Sequence, residues 1–180
     1  MKAHSPLKHI LPLVLALMID NMSIGAVFPI ITTIFQRFPT TFFAHNISGQ
    51  SISNFMGLAY LLMPLGMFFG ATFLGDISDI WGRKKAMIIA ITGIGIGFLM
   101  MALSIFIGSV WFFLFSRLVT GLMAGSQSIA QAAVIDMSTP ATKAMNMSLV
   151  SFAVTAGNTL GPLISGVFSS FSSLGFPLPF

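Results

Sequence analysis

The stretch FLGDISDIWGRKKAMII (residues 73–89) holds five of the 12 charged residues in a chain of 180. They are two acids followed by three consecutive bases: Asp76, Asp79, Arg83, Lys84 and Lys85. Long apolar segments flank this cluster on both sides. Such a pattern is typical of a short charged connection between two membrane-spanning helices, because charge is costly inside hydrocarbon and cheap beside it.

The composition of the whole chain also favours lipid as the solvent. Hydrophobic residues make up 56% of it, charged residues only 7%, and the mean hydropathy is +0.96, whereas soluble domains carry about a quarter charged residues. The net charge of +4 forms no basic stripe, so we expect no nucleic-acid partner. Cysteine is absent and three histidines are scattered, so the sequence predicts neither a metal site nor a cofactor.

Five segments are long and apolar enough to span a bilayer, which requires about 20 residues. They are residues 10–34, 52–74, 86–107, 111–135 and 145–167. A sixth would begin at about residue 177. The first segment exceeds the 7–15 apolar residues of a signal peptide, so we expect it to be retained. The sequence therefore predicts an all-α polytopic membrane protein.

The basic residues predict how the chain is oriented. With the N-terminus inside, six bases face the cytoplasm, and only Arg37 lies on the opposite side. The six are Lys2, Lys8, Arg83, Lys84, Lys85 and Lys143. This positive-inside bias predicts a cytoplasmic N-terminus and makes residues 73–89 a cytoplasmic loop between spans two and three.

The spacing of that loop is more specific than a topology signal requires. Its motif residues are Gly75, Asp79, Gly82, Arg83 and Lys84. We expect a tight turn in which acid and base clasp two helix ends, with acid near a helix N-terminus and base near a C-terminus complementing the helix dipoles. Here the chain resembles the major facilitator superfamily of secondary transporters, whose signature is G-x-x-x-D-[RK]-x-G-R-[RK]. Ile80 stands where that family usually has a base.

Three further stretches strengthen the resemblance. SRLVTGLMAG in span four is similar to the R-x-x-x-G pattern of the family, through Arg117 and Gly121. AGNTLGPLISG in span five resembles the exporter pattern G-x-x-x-G-P-x-x-G-G. Its matching residues are Gly157, Gly161, Pro162 and Gly166. IDNMSIGAVFP in span one, with Asp20 nine residues before Pro29, looks like the same stretch in drug–proton antiporters such as the tetracycline exporters.

The resemblance implies a fold, a location and partners. Residues 1–180 would form the N-terminal transmembrane half-domain, truncated in its sixth helix, of a transporter in a bacterial inner membrane. Family members have two six-helix halves with the substrate site between them. The implied partners are a small-molecule substrate, protons, the lipid bilayer and a missing C-terminal six-helix half.

Asp20 and Arg117 are the ionisable residues that lie deep inside predicted spans. Asp20 lies about 15 Å from the inner surface and Arg117 about 9 Å from the outer one, where a charge costs at least about 2.5–3.5 kcal/mol. Asp20 is either a structural acid, hydrogen-bonded for instance to Asn21, or a proton-binding carboxylate. Arg117 either snorkels to the outer interface or faces the cavity. We favour the cavity for both, with Asn21 and Gln131 as polar neighbours.

The sequence leaves two classes of function open. One is the N-terminal portion of a proton-coupled exporter of drugs or other small lipophilic compounds, whose isolated chain we expect not to transport. It would be a fragment, a truncated gene product or half of a split transporter. The alternative is a truncated non-transporting membrane protein or a helix-packing assembly partner, since small residues four apart allow close packing in any bundle. An enzyme is not expected, because the sequence contains no G-x-S-x-G elbow and no phosphate-binding loop.

Overall fold

The computed structural model describes residues 7–37, 42–43 and 48–173, and every element in these ranges is an α-helix. The helices are α1 (Leu7–Arg37), α2 (Gly49–Trp81), α3 (Arg83–Ile107), α4 (Val110–Met123), α5 (Ser126–Asp136) and α6 (Lys143–Ser173). The predicted start of a sixth span at about residue 177 lies outside the described residues.

Five helical segments within the described residues are long and apolar enough to cross a membrane, with α4 and α5 together making one of them. They are Ile10–Gln36, Gly49–Trp81, Arg83–Ile107, Val110–Asp136 and Lys143–Val167. The predicted all-α architecture with five spans is therefore confirmed. Their outward surfaces are strongly apolar, as Phe106, Phe68 and Leu99 show at 81%, 74% and 72% exposure. Exposed apolar surface of this extent marks contact with lipid or with other protein.

The chain divides into two compact units, of which one comprises Met1–Thr32 and Met137–Phe180. Its described parts are most of α1 and all of α6. Turn residues build the start of α6: the amide of Lys143 bonds to the carbonyl of Thr139, and Thr142 Oγ1 accepts from the amide of Thr139. Asn146, 1% exposed, donates to Ser138 Oγ at 2.8 Å and ties the turn to the helix.

The second unit, Thr33–Asp136, contains α2, α3, α4, α5 and the last turn of α1. Small residues at its helix crossings let backbones approach closely. A Cβ on Gly66 would lie 2.7 Å from the carbonyl oxygen of Leu118, and one on Gly70 would overlap the Leu122 carbonyl. The α2–α4 crossing is thus a backbone-to-backbone contact that only glycine permits at these positions.

The connection between α2 and α3 is much shorter than the predicted loop. α2 continues to Trp81 and α3 begins at Arg83, so only Gly82 separates them. Its φ of 91° and ψ of 148° lie where L side chains are strained. Gly75, Asp76 and Asp79 therefore belong to the last turns of α2. A helix can continue beyond the hydrocarbon because its backbone keeps its internal hydrogen bonds while its polar side chains are solvated.

Span four is interrupted, which the sequence did not predict. α4 ends at Met123 and α5 begins at Ser126. The amide of Ala124 bonds to the Gly121 carbonyl, a tighter i→i−3 turn. A Cβ on Gly125 would lie 2.8 Å from Leu74 Cδ1. Close packing at a glycine, the weakest helix former after proline, accounts for a break at this point.

Candidate functional site

Arg117 is the most deeply buried charged side chain in the described residues. It lies on α4 at 1% exposure, and its Nε donates to the Ala59 carbonyl oxygen of α2 at 3.1 Å. Among the described residues, its Nη1 has no hydrogen-bond partner. The side chain is thus held from one edge of the guanidinium and keeps a donor available in a setting where an unsatisfied donor is costly.

The surroundings of Arg117 position it through packing. Met63 of α2 contacts Gly121, one turn beyond Arg117, so closely that a Cβ there would overlap the Met63 carbonyl oxygen. Thr120 is 1% exposed, and its hydroxyl donates to the Ser116 carbonyl oxygen at 2.8 Å. Gly121, predicted from the span-four motif, therefore fixes the distance between α2 and α4 that brings Ala59 within reach of Arg117.

Asp20 and Asn21 lie near the middle of α1, in the other unit. Asp20 is half-buried and Asn21 is 6% exposed. The Asn21 amide donates to the Leu17 carbonyl oxygen at 2.9 Å, so it is engaged with its own helix. This bond anchors the residue next to Asp20 without needing another helix.

The span-five motif lies in α6, where it contacts α1 around these two residues. A Cβ on Gly157 would lie 2.8 Å from Asn21 Cβ, and one on Gly161 would lie 2.8 Å from the Ala26 amide nitrogen. Pro162 faces Gly25, where a Cβ would lie 3.0 Å from the proline Cδ. Three motif residues thus form the α1–α6 crossing. Gly166 differs, because a Cβ there would meet nothing within 4 Å.

Gln131 was predicted to share the face of Arg117 because 14 residues make nearly four turns of a continuous helix. The interruption after Met123 removes the basis for that count. Gln131 is half-buried on α5, and its place in the cavity stays a prediction.

At the junction of α2 and α3, Arg83 joins three elements. Its Nη1 lies 2.6 Å from Asp79 Oδ1 at the end of α2, and its Nε lies 3.1 Å from Asp136 Oδ2 at the end of α5. Nη1 also donates to Ser78 Oγ at 2.9 Å. The loop motif therefore forms a clasp, defined here as Ser78, Asp79, Arg83 and Asp136.

The clasp corrects the dipole argument made from the sequence. Asp79 lies at a helix C-terminus and Arg83 at a helix N-terminus, which is the unfavourable placement of each charge. The direct ion pairs must therefore offset this cost, and no dipole term assists them. Lys84, also in the motif, is exposed in the first turn of α3, where it shares the same unfavourable placement.

Sequence reasoning missed Asp136 and Ser78 as partners of Arg83. A signal for Asp136 was present, since it is one of only four acids and ends span four on the side where the bases collect. Ser78 carried no signal beyond its type. Ile80, where the family usually has a base, is 78% exposed, so its side chain points to the surroundings of the protein. Gly75 allows no close approach, because a Cβ there would meet nothing within 4 Å.

No cluster of metal-ligating side chains exists within the described residues. The chemical groups of the site in this part of the chain are carboxylates and guanidinium groups, held among close helix crossings.

The Major Facilitator Superfamily model matches residues 10–180. The chain belongs to this family. The class B tetracycline resistance protein of Escherichia coli is 24% identical over 149 residues, covering 83% of this chain and 34% of that protein. The class H protein of Pasteurella multocida is 22% identical over 166 residues, covering 92% and 39%. Major facilitator superfamily domain-containing protein 10 of Mus musculus is 32% identical over 115 residues, covering 64% and 25%.

The chain matches between a quarter and two fifths of the length of these relatives, namely 34%, 39% and 25%. Family membership and five spans together identify it as a multi-pass membrane protein of a transporter family. The activity of a whole transporter, its substrate and its partners are matters of proposal.

Proposed function

We propose that residues 1–180 are the N-terminal portion of a proton-coupled exporter of drugs or other small lipophilic compounds in a bacterial inner membrane, with a cytoplasmic N-terminus. The observation that carries the proposal is the buried Arg117, with Nη1 lacking a partner among the described residues. A membrane protein that needed only packing at this position would be served better by an apolar side chain.

Proton coupling is assigned to Asp20 and Arg117. A carboxyl group in an apolar setting favours its protonated form, and an approaching cation favours the ionised form. A conformational change that brings a cation to Asp20 would therefore release a proton, and one that removes the cation would bind a proton. Asn21, whose side-chain amide donates to the Leu17 carbonyl oxygen, is assigned as the polar neighbour of Asp20.

Export rather than uptake is supported by the span-five motif. Gly157 and Gly161 let α6 lie directly on α1, and Pro162 fills the space beside Gly25. Close crossings at small residues are common in membrane bundles, so the preference for export over uptake rests on the resemblance of this motif to the exporter pattern. Tetracycline is the first substrate to try, because several relatives carry it in their names.

The 180 residues taken alone are not expected to transport, because a site between two six-helix halves needs both walls. The alternative, a non-transporting assembly partner, is supported by the same glycine crossings. Flux of tetracycline from proteoliposomes containing only this chain, driven by an imposed pH gradient, would contradict the expectation that it is incompetent.

The proposal is tested in a longer protein in which this chain is joined to a second six-helix half, as in other members of the family. With an imposed pH gradient, we expect substrate flux that Asp20→Asn uncouples from the gradient while facilitated exchange remains. Ser23→Ala serves as the matched control, because the Ser23 hydroxyl lies within one turn of Asp20 and bonds to the Ile19 carbonyl of its own helix. Gradient-driven flux that is unchanged in Asp20→Asn would remove Asp20 from the mechanism.

A further inference from the structure

An open groove of about 610 Å³ lies at the junction of α2 and α3. Its lining comprises Ile80, Trp81, Lys85, Ile88 and Ile89. The wall is apolar and highly exposed: Ile80 is 78% exposed, Trp81 58% and Ile88 55%. Lys85 is the one charged residue of the lining, and the clasp does not use it.

The charges around the groove differ in whether they are already paired. Arg83 is bound to Asp79 and Asp136, so it offers little positive charge to an outside ligand. Neither Lys84 nor Lys85 forms an ion pair with a described residue, and both are exposed. Lys85 is therefore the cation that the groove presents to an outside ligand.

The backbone adds to this positive potential. Gly82 supplies no side-chain cap to α3, and the first turn of α3 contains no acid. Bases at a helix N-terminus are repelled by its partial positive charge. An anion from outside would be attracted by the bases and by the helix N-terminus and would reduce this repulsion. The groove thus offers an anion-attracting rim above an apolar wall.

We propose that this groove binds an anionic phospholipid, with the phosphate at Lys85 and an acyl chain against Ile80, Trp81 and Ile88. Basic pockets between spanning helices on the cytoplasmic side are the places where anionic headgroups bind, and Trp81 has the amphipathic ring that prefers the headgroup level. Ile80 stands where the family usually has a base, so the groove offers an apolar surface to the acyl chain at this position. The assignment rests on the cytoplasmic placement proposed above.

The chain itself provides the probe, because its two tryptophans are Trp81 in the groove and Trp111 at the start of α4. Trp111→Phe leaves Trp81 as the reporter, and Trp81→Phe leaves Trp111. Each variant of the 180-residue chain is placed in vesicles of phosphatidylcholine mixed with phosphatidylglycerol, one lipid carrying brominated acyl chains that quench tryptophan on contact. Both leaflets have the same composition, so the measurement does not depend on orientation or on transport.

At Trp81 we expect the anionic lipid to bind about fivefold better than the choline lipid, the effect of one lysine near the surface. Lys85→Gln should reduce this ratio to about one, and Lys85→Arg should preserve it. Lys143→Gln, an equal change of charge outside the groove lining, should leave it unchanged, and Trp111 should show no preference. Equal quenching of Trp81 by the two lipids, or an equal loss with Lys143→Gln and Lys85→Gln, would overturn the proposal.

Discussion

Arg83 and Arg117 place the same guanidinium group in opposite surroundings. Arg83 has a side chain 35% exposed and bonds to two carboxylates and a serine hydroxyl. Arg117 is 1% exposed, with Nε on a backbone carbonyl and Nη1 unpartnered among the described residues. Arg83, the more exposed arginine, therefore makes more polar contacts than the buried Arg117.

Stability alone would produce the reverse arrangement. Burial raises the cost of an unsatisfied donor, whereas exposed ion pairs contribute about 0–1 kcal/mol. The unpartnered Nη1 of Arg117 is therefore the observation that supports its proposed role in coupling. The clasp at Arg83 indicates a structural connection among helix ends.

The largest effect is expected from replacing Arg117 in a full-length transporter. Arg117→Met should lower gradient-driven substrate flux by on the order of 100-fold, within the range of coupling free energies between sites. Arg117→Lys keeps the charge but loses the Nε bond to Ala59, so it should recover only part of the flux. Flux in Arg117→Met equal to that of the native protein would place Arg117 beside Arg83 as a structural residue.

The position of Arg117 depends on the glycine crossing of α2 and α4. Gly70→Leu should lower the free energy of unfolding in detergent by about 1–3 kcal/mol, because its side chain would overlap the Leu122 backbone. Gly57→Leu lies on the same helix with nothing within 4 Å of its Cβ and is the matched control. Equal effects of the two substitutions, measured by denaturant titration, would argue against a backbone contact.

The clasp depends instead on the backbone of Gly82. Its positive φ predicts that Gly82→Ala lowers the free energy of unfolding by about 1–3 kcal/mol. Gly75→Ala, in the last turns of α2 with open space at its Cβ, should raise it by about 0.5–1 kcal/mol. Changes of opposite sign in the free energy of unfolding would show that Gly82 lies in a turn and Gly75 in a helix. Changes of the same sign would contradict this geometry.

The smallest effect is expected from the ion pair of Arg83 with Asp136. A double-mutant cycle with Arg83→Gln and Asp136→Asn should give a coupling energy of about 0.2–1 kcal/mol. The coupling should decrease at 1 M salt, where charges are screened beyond about 3 Å. A salt-independent coupling of several kcal/mol would mean that the clasp is shielded from water, contrary to its exposure.

The five spans could be predicted because long apolar segments need only length and composition. The C-terminal boundary of α2 could not be predicted, because Asp76 and Asp79 are residue types typical of loops. Only the structure shows that Arg83 pairs with Asp79. The break after Met123 depends on close packing of Gly125 beside Leu74, a contact 51 residues away in sequence. Motif matching identified Gly157, Gly161 and Pro162 at the α1–α6 crossing but only Gly121 at the α2–α4 crossing. The clasp partners Ser78 and Asp136 required three helix ends to be placed together.

The most direct measurement is the free energy of unfolding of Arg117→Met in this 180-residue chain. A side chain retained for its chemistry at a cost in stability predicts that the variant equals the native chain within about 1 kcal/mol or exceeds it, since methionine fills the space without an unsatisfied donor. A loss of about 3–5 kcal/mol, as found when one partner of a satisfied buried pair is removed, would show that Arg117 is structural and would contradict its role in coupling.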